Sequence, residues 1–128
     1  MMKARLLLLI AAGLTACAAQ AQAQDTDKVI QVQVVGGKIQ VPEQVAQVKR
    51  SQGAIRWQLG TPGHTFPANG IVIKDGGGAF QNCKPMQQGT VFKCVRNGHV
   101  AGKRYKYDVN VNQGSTALPT LDPFIQNE

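Results

Sequence analysis

An all-β sandwich is the fold class this chain predicts, on three observations. Apolar and polar residues alternate with a period of two in several short runs, and glycines and prolines punctuate them. No segment beyond the amino-terminal region sustains a helical period, and no internal repeat occurs. The strongest ladder comes late, where Tyr105, Tyr107, Val109 and Val111 alternate with Arg104, Lys106, Asp108 and Asn110. That pattern predicts a half-buried antiparallel strand, apolar side inward.

In chain order, Val29 to Val35 places Ile30, Val32 and Val34 against Gln31 and Gln33, a first strand stopped by Gly36-Gly37. Lys38 to Val41 is a short second run, which Pro42 ends or confines to an edge. Val45 to Val48 is a further strand candidate, and Ser51-Gln52-Gly53 a turn. Ile55, Trp57 and Leu59 alternate with Arg56 and Gln58, the best central strand of the first half. Trp57, the single tryptophan, reads as a core anchor with its indole N–H bonded. Gly60 to His64 is a loop, and Ile71-Val72-Ile73 a short apolar run. Ala79 to Cys83 and Thr90 to Cys94 read as a hairpin connected through Pro85 and Gly89. Past Gly114, Pro119 and Pro123 predict no regular element; Leu121, Phe124 and Ile125 are expected to pin this tail to the domain.

The first two dozen residues have the form of an export signal. Lys3 and Arg5 precede the apolar run Leu6 to Leu14, too short to span a bilayer, and small residues follow. Two endings compete. Leu14-Thr15-Ala16-Cys17 matches a lipobox that would make Cys17 a lipidated first residue, with Ala18 to Gln24 as a tether. Ala21-Gln22-Ala23 before Gln24 fits ordinary signal cleavage. The expected organisation is residues 1–23 as signal and Ala/Gln tether, and 28–128 as one domain in the periplasm, soluble or lipid-anchored. Contact with a membrane is expected only through an acylated Cys17.

Without Lys3 and Arg5 the chain keeps 12 basic residues against 7 acidic ones, a net charge of +5. Lys84, Lys93, Arg96, Lys103, Arg104 and Lys106 crowd the second half, with no acid between Asp75 and Asp108. Such a surface suits an anionic envelope surface or an acidic protein as partner, or serves only solubility. Catalysis is not expected, because neither His64 nor His99 has an adjacent serine or acid in a triad motif and the carboxylates are scattered. Gly76-Gly77-Gly78 lacks the lysine and helix of a phosphate loop. Tyr105 and Tyr107 alternate as core residues do, so nucleic acid is not expected as a partner.

The order of Ile55-x-Trp57-x-Leu59, Gly63-His64-Thr65-Phe66, Val91-Phe92-Lys93-Cys94 and the closing Tyr105 to Val111 ladder resembles the cupredoxin fold. The resemblance implies an antiparallel Greek-key β-sandwich. It also implies a type 1 copper alternative, with His64 on the early loop and Cys94 and His99 on the late one. Two departures weigh against it. Lys103 stands where the axial methionine would be, four residues after His99, and no methionine follows Met86. Cys83, on the neighbouring strand, would capture Cys94 as a disulfide in an oxidising compartment, since facing residues lie about 4.5–5.5 Å apart. Closing that loop would stabilise the fold by about 2–3 kcal/mol. The chain is also similar to small exported bacterial proteins with such a sandwich, a paired-cysteine hairpin and a tail like Leu121-Asp122-Pro123. The preferred expectation is therefore a disulfide-closed binding or envelope-associated module without a cofactor, with copper electron transfer as the alternative.

Overall fold

The computed structural model describes residues 27–128, so Cys17, the signal and the tether lie outside the described residues. Twelve strands and no helix form among them: β1 (Asp27–Val35), β2 (Lys38–Gln40), β3 (Val45–Val48), β4 (Ala54–Leu59), β5 (His64–Thr65), β6 (Ile71–Ile73), β7 (Phe80–Met86), β8 (Val91–Arg96), β9 (Arg104–Val109), β10 (Asn112–Gln113), β11 (Thr116–Ala117) and β12 (Phe124–Asn127). They make a five-stranded sheet in the order β2-β1-β4-β8-β7, a four-stranded sheet β3-β12-β9-β6, and a small sheet β11-β10-β5.

One hydrophobic core joins the two large sheets. Ile30, Val32, Ile55, Trp57, Phe92 and Cys94 come from the first, and Ala46, Val48, Tyr105, Tyr107, Val109 and Ile125 from the second. Trp57 and Tyr107 are fully buried and meet across it, their ring centroids 5.4 Å apart. The Trp57 Nε1–H donates to the Tyr107 hydroxyl at 3.2 Å, which satisfies an indole donor that burial would otherwise strand. Period-two alternation places these side chains inward and Arg56, Gln58, Arg104 and Lys106 outward.

Two expectations need correcting. The two large sheets are mixed rather than antiparallel: β1 runs parallel to β4, and β12 parallel to β3, while the small sheet is antiparallel throughout. Alternation reports which face a strand buries and carries no information on the direction of its neighbour. The tail is also not irregular. Pro119 and Pro123 precede β12, which inserts between β3 and β9 and buries Ile125 completely. Prolines interrupt only the ladder in which they stand, and a strand four residues long is fixed by its partners rather than by its own propensity.

Candidate functional site

The β7–β8 hairpin carries both cysteines. Between Gln81 and Lys84 the register shifts, so that Asn82 and Cys83 together oppose Cys94. Asn82 adopts a left-handed φ of 54°, which gives the edge strand its bulge. Cys83 and Cys94 form a disulfide across it, with Cα atoms 4.1 Å apart. Cys94 is buried in the core and Cys83 is exposed on the edge. With its sulfur bonded to Cys83, Cys94 offers no thiolate to a metal.

His64 and His99 lie at opposite ends of the β4–β8 pair. His64 is in β5, beside the Gly89 end of β8, where the Phe66 N–H donates to the Gly89 carbonyl. Its Nδ1 bonds the Pro62 carbonyl at 2.9 Å. His99 follows the other end of β8, beside Arg96. Strand rise puts roughly 17 Å of β4 between those ends. The structure therefore does not bring His64, Cys94 and His99 together. Among the described residues no group of three or more His, Cys, Asp or Glu side chains is placed to hold a metal ion.

The residue that organises the His99 end is Arg96. Its Nη1 donates to the Lys49 carbonyl at 3.0 Å and to the Gln52 carbonyl at 2.6 Å. Its Nη2 donates to the Asn127 Oδ1 at 3.1 Å and to His99 Nδ1 at 2.5 Å. A guanidinium never accepts, so His99 Nδ1 is the acceptor and its Nε2–H donates to the Glu128 carbonyl at 2.7 Å. One side chain thus ties the β3–β4 turn, the loop after β8 and the end of β12. Burial holds the Arg96 guanidinium below its ordinary pKa; Tyr105 acts in the opposite direction, and the nearby Arg50 charge lowers it further.

Cations gather at this end. Lys49 and Arg50 follow β3, Lys103 precedes β9, Arg104 opens it, and Arg96 closes β8. Val48 pairs with Asn127 and Arg104 with Gln126, which draws these segments together around the end of β12. None of the five cations forms a salt bridge among the described residues. The basic residues that do so are Lys28 with Glu43, Arg56 and Lys93 with Asp27, Lys74 with Asp108 and Lys106 with Asp122. The chain order shows Arg96, Lys103 and Arg104 as a basic run. It hides the contribution of Lys49 and Arg50, which reach the same place through the parallel β12–β3 pairing. No protein-family model matches the chain, and no curated protein is significantly similar to it.

Proposed function

We propose that the chain is a non-enzymatic, exported, cupredoxin-like binding module whose basic end docks on an anionic surface of the cell envelope. The observation that carries this reading is the group of five cations at the His99 end, none of them in a salt bridge among the described residues. Uncompensated like charge on one end raises the local concentration of anions and speeds their encounter. The Cys83–Cys94 disulfide and the Trp57–Tyr107 contact keep that end on a fixed scaffold. A Greek-key arrangement is supported by the chain changing sheet between β3 and β4, between β6 and β7, and between β8 and β9. The late Cys94, His99 and β9 order supports the cupredoxin likeness, with the copper function set aside.

The test is sedimentation of the purified protein with vesicles. Vesicles carrying anionic lipid should retain it at low salt and release it at several hundred millimolar salt, where screening acts within a few ångströms. The double variant Lys103→Glu, Arg104→Glu reverses two exposed charges and should abolish retention. Equal binding to neutral vesicles, or none to either kind, rejects the reading.

A further inference from the structure

We propose that the hollow between the turn after β3 and the loop after β8 holds a phosphate group. This inference rests on the reading above and names the ligand chemistry through which the basic end would act. The hollow has a volume of about 210 Å³ and is lined by Arg50, Gln52, Gly53, Arg96, Gly98 and His99. No carboxylate lines it.

Its electrostatics call for an anion. All four Nη protons of Arg96 are spent on neutral acceptors: two carbonyls, an imidazole nitrogen and an amide oxygen. Those bonds satisfy the donors but leave the positive charge in place, in a partly buried setting. A second guanidinium, Arg50, lines the same hollow. The two like charges repel each other, neither forms a salt bridge among the described residues, and a bound anion relieves both.

The donors favour phosphate over a flat carboxylate. The Gln52 Oε1 accepts from the Lys49 N–H at 2.8 Å, which turns the side-chain amide nitrogen of Gln52 into the group left to donate. The Arg50 side chain is exposed and can swing over the opening. At Gly53 and Gly98 even a Cβ would meet nothing within 4 Å, so the backbone there leaves open space. A tetrahedral group with several acceptor oxygens can take bonds from these separate directions, and its charge of about −1.5 to −2 at pH 7 matches two guanidiniums.

The experiment titrates the purified protein with inorganic phosphate at constant ionic strength, using chloride as the balancing anion. Amide resonances are followed by NMR. Saturating shifts at Gly53, Gly98 and His99 are expected. Arg50→Gln should weaken the response at least tenfold. Gln52→Glu keeps the acceptor for the Lys49 N–H, places a carboxylate in the hollow, and should remove the response while raising the melting temperature. A second arm uses vesicles whose lipid headgroup is a phosphate monoester against vesicles of equal charge bearing carboxylates. Preference for the monoester assigns the phosphate to a lipid headgroup. Equal retention, with the phosphate response intact, assigns it to a free phosphate. Shifts spread evenly over all basic residues, or no change in Arg50→Gln, overturn the pocket. If vesicles still bind in that case, the envelope reading survives without the pocket; if they do not, both fall.

Discussion

At the scale of single residues, Tyr107 shows how one hydroxyl couples burial to pH. Burial pushes its pKa up to about 12, opposed in part by the hydrogen bond from Trp57. In the unfolded chain a tyrosine ionises near 10. Between pH 10 and 12 the folded state keeps a proton that the unfolded state loses, so the contribution is complete below pH 10. It then falls as pH rises toward 12, by about 1.4 kcal/mol per unit. Tyr107→Phe should lack this alkaline slope. At pH 7 it should lose about 1–3 kcal/mol, because the Trp57 N–H stays buried without an acceptor. Urea unfolding of both proteins at pH 7 and pH 11 checks this, and identical slopes would count against it. Trp57 as a bonded core anchor is legible in the sequence. Its partner is not, since fifty residues separate the two.

At the scale of elements, the β7–β8 turn departs from its preferred chemistry. The Gly89 N–H donates to the Met86 carbonyl at 3.1 Å, and Gln87 and Gln88 between them both have positive φ, 52° and 59°. Met86 pairs with Val91, so this is a four-residue loop whose first two residues are left-handed, a conformation Asn and Gly adopt more readily; a left-handed glutamine costs about 1 kcal/mol. Replacing Gln87-Gln88 with Asn-Gly should therefore stabilise the fold by about 1 kcal/mol. Gly89→Ala should act in the opposite direction, because φ is +83° and its Cβ would lie 2.9 Å from the Cβ of Thr65. Thermal unfolding of the two variants decides it; a Gly89→Ala protein as stable as the parent would refute the turn assignment. The hairpin and its two cysteines are legible from spacing, although β7 runs on through Pro85, expected in the connection, to Met86. The bulge at Asn82 is not, because it arises from pairing register rather than from any local signal.

At the scale of the whole molecule, one topology separates the histidines and gathers the cations. Spacing placed Cys94 and His99 five residues apart, as a loop site would need. The strand pairing then carried His64 to the far end of β8. The β4–β8 pairing did the reverse for Arg50, bringing the turn before β4 to Arg96 from 46 positions earlier in the chain. Individual strands are readable because they are written in short alternations. Neighbours are not, because they depend on contacts distant in sequence.

The insertion of β12 also has a kinetic consequence. It is an inner strand of its sheet, yet it is made after the eleven other described strands, and β3, its parallel partner, emerges some 80 residues earlier. The second sheet therefore has no continuous ladder until residue 127 has left the exit tunnel. Folding is delayed by a long-range closure of the kind that slows β-rich domains. Chains ended at Asp122 should stay protease-sensitive at every time after synthesis, while chains reaching Glu128 acquire resistance in a single step. A truncated chain that resists protease would show that the first sheet can form and hold without the second.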